Sequence, residues 1–104
     1  MAWLYLTLAG VLEIVWAYAM KQSAGFTRLV PSLITLITMA GSFWLLAIAM
    51  RTIPLGTAYP IWTGIGAVGT FLIGIILLGE AMTPLRLVAA VLLVSGLILL
   101  KIAS

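Results

Sequence analysis

The chain contains no cysteine and no histidine, and its only acidic residues are Glu13 and Glu80. Without cysteine there are no disulfides, thiolate nucleophiles or sulfur-ligated metals. Without histidine there is no imidazole acid–base chemistry and little scope for zinc. Neither a metal nor a cofactor is expected, and any proton chemistry falls on two carboxylates. Charged residues make up only 7% of the 104 positions, against about 25% in soluble domains. Five basic and two acidic side chains leave a net charge of +3. That set is too thin for a phosphate-binding patch, so a nucleic-acid partner is excluded. With 65% hydrophobic residues, a soluble enzyme and a disordered tail are excluded as well.

What the chain does hold is long apolar runs. A helix crossing the hydrocarbon of a bilayer needs roughly 20 apolar residues, so this length accommodates about four spans. The runs fall at about residues 3–20, 29–50, 58–78 and 84–102, and predict a single four-helix transmembrane domain over 1–104. The first run lacks a basic flank before it and is interrupted by Glu13, so it reads as a retained helix, not a signal peptide. Pro31 falls in the first turn of the second helix, where its missing N–H costs little. Thr57 is expected to cap the third helix, with Pro60 at about its third position; Thr83-Pro84 reads as cap and first residue of the fourth. Unbroken apolar runs lack the alternation of a β-barrel, leaving an all-α membrane protein. So small a membrane protein is expected to be one subunit of an oligomer.

Basic residues divide almost evenly across such a bundle. Arg51 and Lys101 share the side of the termini, and Lys21, Arg28 and Arg86 take the other. The positive-inside rule therefore barely selects an orientation. Either the chain keeps one weakly biased topology, or it inserts both ways and pairs antiparallel with itself.

Glu13 stands near the middle of the first span, with no basic residue in that span to pair with. A charge at a helix centre costs about 2.5–3.5 kcal/mol even on lenient insertion scales. Desolvation penalises the charged form, so such a carboxyl holds a proton that an arriving cation can displace. The alternative is a permanently protonated glutamate bonded to a neighbouring helix. Gly10, Trp16, Ala17 and Met20 share the face of Glu13 at helical spacing. Thr35, Thr38 and Ser42 form a hydroxyl stripe on the second helix, and Tyr59, Trp62, Gly66 and Gly69 share a face of the third. Trp16 and Trp62 are expected to wall a cation site, since aromatic faces attract cations by about 2 kcal/mol or more when desolvated. Trp3 and Phe26 fit an interfacial aromatic belt. Glu80 is expected to be a solvated loop charge.

Residues 64–69 match GxGxxG formally, but lie inside a span without a preceding strand, so the dinucleotide reading is void. Glycines there either permit close packing or let the helix bend. On the fourth helix Ala89, Ala90, Ser95 and Gly96 leave small residues suited to a dimer seam.

Taken together, several segments resemble the small multidrug resistance family of bacterial four-helix exporters. They are Gly10 to Ala17 with Lys21, Gly25 to Leu29 with Pro31-Ser32, Ser42, Ile53 to Gly66, and the small residues of the fourth helix. The resemblance covers essentially the whole chain. It implies a multi-pass protein of the bacterial inner membrane, working as a proton-coupled antiporter in an antiparallel dual-topology homodimer. It implies that Glu13 binds proton and cationic substrate in turn, that Tyr59 and Trp62 line the pocket, and that Ser42 supports the glutamate. It also implies a bend of the third helix at Gly64 and Gly66. Trp16 after Glu-Ile-Val, the 63–69 segment and Lys101 resemble the guanidinium-exporting branch. Pro60 stands where alanine is common, and residues 42–46 resemble the branch exporting quaternary ammonium and other lipophilic aromatic cations. The expected substrates are guanidinium and small substituted guanidinyl cations, with the second branch as the alternative. Two further classes stay open: a proton-conducting rotor-type subunit and a structural membrane subunit.

Overall fold

A computed structural model of the chain describes residues 1–103. Their regular structure consists of four helices: α1 (Ala2–Gln22), α2 (Leu29–Ala49), α3 (Leu55–Ile76) and α4 (Pro84–Ile102). Each is long and apolar enough to cross a membrane. At about 1.5 Å per residue, helices of this length match a hydrocarbon core about 30 Å thick.

α1 is the centre of the arrangement, packing on both α2 and α3, while α4 leans on α3 and α2 barely meets α3. The buried core gathers at the end of the bundle that carries the termini. Leu6 and Ala9 of α1 meet Leu46 and Ala49 of α2, and Ile53, Ala58, Ile61 and Trp62 close the cluster. Small residues at Ala9, Ala49 and Ala58, all fully buried, allow the backbones to approach there. At the opposite end α1 and α3 separate, leaving a cleft of about 420 Å³. The principal extents are 40 × 35 × 17 Å. A slab this thin, under two helix diameters of about 10–12 Å each, leaves most side chains facing lipid or another chain.

The connections differ in how they are held. After α1, the Ser23 hydroxyl donates to the Met20 carbonyl (2.6 Å) and accepts from the Phe26 N–H (3.0 Å). Ala24, Gly25 and Phe26 follow in left-handed conformations (φ 49°, 78° and 66°), a region that costs side-chain-bearing residues free energy. Phe26 is half exposed, whereas the Trp3 ring is partly covered by Lys101, whose Nζ lies 5.0 Å from the ring centroid.

Two expectations need correction. α3 begins at Leu55, because extended Pro54 (ψ 150°) already breaks the chain and its carbonyl accepts from Thr57 N–H (3.0 Å) and Ala58 N–H (2.9 Å). Thr57 therefore lies inside the helix and is not its cap, and Pro60 is the sixth helical residue, not about the third. Glu80 is not merely solvated: its carboxylate lies 3.6 Å from the Arg86 guanidinium and folds against Gly74. Thr83 caps α4 through its hydroxyl, which accepts from Arg86 N–H at 3.2 Å, with Pro84 first in the helix.

Candidate functional site

Glu13 lies half-buried on the face of α1 that meets α3. It fits there because Gly66 opposite has no side chain: a Cβ at that position would run into the Glu13 carboxyl group. Gly10 against Ile65 and Gly69 against Ile14 extend the same close approach above and below. The glycines of α3 thus admit α1 side chains, Glu13 among them, to van der Waals depth. Helical structure runs unbroken through Gly64 and Gly66, and Gly64 receives Leu97 of α4. Close packing is the role these two glycines play in this conformation.

Two buried polar atoms at this site lack partners among the described residues: Glu13 Oε1, an acceptor, and Trp16 Nε1, a donor. Buried polar atoms are rarely left unpaired, so one acceptor and one donor remain here for a polar occupant or a further side chain to satisfy. Trp16, one turn beyond Glu13, begins an aromatic arc. Its ring lies edge-on to Phe43 (6.4 Å between centroids), Phe43 lies edge-on to Trp62 (5.6 Å), and Trp62 is tilted against Tyr59 (5.5 Å). Such spacings are those of favourable aromatic pairs.

Ser42 fixes the Trp62 ring within the arc. Its hydroxyl donates to the Ala9 carbonyl (2.6 Å) and accepts from Trp62 Nε1 (3.0 Å), joining α1, α2 and α3 in a fully buried position. It is therefore engaged with Ala9 and Trp62 and not with Glu13. The rest of the hydroxyl stripe does not reach the site. Thr35 and Thr38 return their hydroxyls to Pro31 and Ile34 carbonyls of their own helix (2.8 and 2.6 Å).

Glu13, Trp16, Ser42, Tyr59 and Trp62 are thus brought to one wall of the bundle. Phe43 joins them; the sequence placed it only within the 42–46 segment and not among the pocket residues, because an aromatic in an apolar run carries no signal of its own. Ala89, Ala90, Ser95 and Gly96 sit elsewhere. α4 has no buried residue, and a Cβ on Gly96 would meet nothing within 4 Å.

Comparison with known proteins gives this arrangement its relatives. The family described as Small Multidrug Resistance protein matches residues 1–94. A protein of Yersinia pseudotuberculosis named guanidinium exporter is 55% identical over 104 residues, covering both chains completely. Proteins of the same name from Citrobacter freundii and Salmonella typhimurium are 53% identical, over all of this chain and 99% of theirs. With four membrane-spanning helices and similarity of this extent, the chain belongs to the Small Multidrug Resistance family, as a multi-pass protein of the bacterial inner membrane.

Proposed function

We propose that the chain is a proton-coupled antiporter that exports guanidinium and small substituted guanidinyl cations, with proton and cation competing for Glu13. The action is transport, not catalysis, and the relatives named guanidinium exporters support the substrate class. The observation that carries the reading is the unpartnered Glu13 oxygen beside an arc of aromatic rings. A planar cation with N–H donors forks onto a carboxylate as arginine does, and its faces stack on Trp16 and Trp62. Proton and cation neutralise the same carboxylate, so occupancy by one excludes the other. Alternating access then presents the occupied site to one side at a time. Each subunit acts as one four-helix unit, two of which pair antiparallel, with Gly64 and Gly66, closely packed in this conformation, as the place where α3 bends when the site changes sides, and the small residues of α4 at the seam.

In proteoliposomes an imposed guanidinium gradient is expected to drive protons the opposite way, and Glu13→Gln to stop that flux. Undiminished exchange by the variant would overturn the proposal. Competition adds a signature: where the free carboxyl is protonated, apparent guanidinium affinity should fall about tenfold for each unit by which pH is lowered, one proton being released per cation bound.

Phe43 favours a second reading, because a ring between Trp16 and Trp62 suits bulkier apolar cations. Tetrapropylammonium currents exceeding those of guanidinium would make that branch the function.

A further inference from the structure

The cleft between α1 and α3 starts beside the proposed site and ends at charged residues. Its inner lining includes Ala17, one helical turn from Glu13; its outer lining includes Lys21, Phe71, Glu80 and Arg86. At that outer end Arg86 is held by three groups at once. Its Nη2 lies 3.6 Å from Glu80 Oε1, its Nη1 donates to the Ala81 carbonyl at 2.5 Å, and its guanidinium carbon lies 5.0 Å from the centre of the Phe71 ring. A carboxylate, a carbonyl and an aromatic face are the three partners a guanidinium ion takes.

We infer that Glu80, the Ala81 carbonyl and Phe71 form an outer guanidinium site at the mouth of the cleft, which the head group of Arg86 occupies until free guanidinium replaces it. The inference rests on the reading of this chain as a guanidinium exporter for its purpose, and on the geometry of Arg86 for its chemistry. The Arg86 head group is the expected substrate on a tether. It fits because Gly74 leaves room for the Glu80 carboxylate, which a Cβ there would strike. The Glu80 backbone is fixed as well, its N–H donating to the Gly74 carbonyl at 3.0 Å. The Arg86 and Glu80 side chains are 36% and 46% exposed, so the exchange happens at the wet edge of the membrane. There a displaced arginine reaches lipid phosphates. Lys21 and the displaced Arg86 both oppose a further cation, and the tether gives Arg86 a high effective concentration. The site is accordingly weak, a point of collection ahead of Glu13 and not of retention.

The test separates the two sites by removing the deep one. In purified Glu13→Gln protein, guanidinium chloride is titrated at constant ionic strength while NMR signals of Phe71 and Arg86 are followed, with methylammonium chloride as the control cation. Saturable shifts with guanidinium are expected. Adding Glu80→Gln should abolish them, and adding Arg86→Gln, which removes the tethered competitor, should lower the midpoint at least threefold. Arg86→Lys keeps the charge but loses the planar fork, and should lower the midpoint too. Absence of saturable shifts, a midpoint indifferent to Glu80→Gln, or equal midpoints for methylammonium and guanidinium would each overturn the inference. The exporter reading is judged separately, by wild-type proton flux. Loss of that flux with the outer shifts intact would sink the exporter reading and support the outer site as a binding site.

Discussion

Ser42 shows how much one hydroxyl does in a bundle with few polar groups. It is fully buried and ties the α1 backbone to the Trp62 indole, fixing the ring that ends the Trp16–Phe43–Trp62 contact. Ser42→Ala leaves the Trp62 N–H buried without its acceptor, at a cost of about 1–3 kcal/mol; unfolding in detergent should show the loss. Gly66→Ala acts on Glu13 directly. The added methyl collides with the carboxyl group, overpacking costs about 1–3 kcal/mol, and guanidinium-driven proton flux is expected to fall at least tenfold. Gly56→Ala is the control, since its methyl would meet nothing within 4 Å and flux should stay unchanged. The identities of these residues were legible in the sequence because hydrocarbon penalises every polar group. Glu13, Ser42 and the indoles stand out against an apolar background for that reason. Their partners were not legible. Which carbonyl Ser42 meets depends on how α2 is rotated about its axis against α1, and Phe43 is indistinguishable by composition from a lipid-facing side chain.

At the scale of the helices, two threonines with similar sequence surroundings behave differently. Thr57 and Thr83 each stand before an apolar run and near a proline, yet only Thr83 caps a helix. Pro54 explains the difference: its extended backbone ends the preceding turn three residues before Thr57, and its carbonyl already accepts the first helical bonds. At Thr83 nothing upstream starts the helix, and the hydroxyl takes the Arg86 N–H. Thr83→Ala should therefore destabilise by about 1 kcal/mol, and Thr83→Ser by much less. Thermal unfolding of the two variants in the same detergent checks the order. Four apolar runs sufficed to place four helices, since lipid permits little else. The start of α3 was obscured because a run's apolarity does not show where the backbone turns helical, and the Glu80–Arg86 pair because a turn sets its geometry.

For the molecule as a whole, α4 poses the main question. It is apolar throughout most of its length, has no buried residue, and borders a slab with a 17 Å short dimension. Lipid or a second copy must cover it. The near balance of Lys21, Arg28 and Arg86 against Arg51 and Lys101 favours a second copy in the opposite orientation. One extra lysine in a loop on either side should then fix the orientation and lower the activity of the variant expressed alone. Gly96 discriminates between the two coverings. Within one copy a Cβ there meets nothing within 4 Å, and the groove of about 550 Å³ that Gly96 lines against α3 has room for a longer side chain, so Gly96→Leu is expected to leave the subunit folded, and against lipid it adds only another apolar group. Against a closely packed helix the same leucine holds the two backbones apart, because small residues are what let membrane helices approach. The expected result is helicity equal to wild type with the dimer reduced to monomer, read by native mass measurement in detergent. A Gly96→Leu protein that remains dimeric would show that this part of α4 faces lipid and that the seam lies elsewhere.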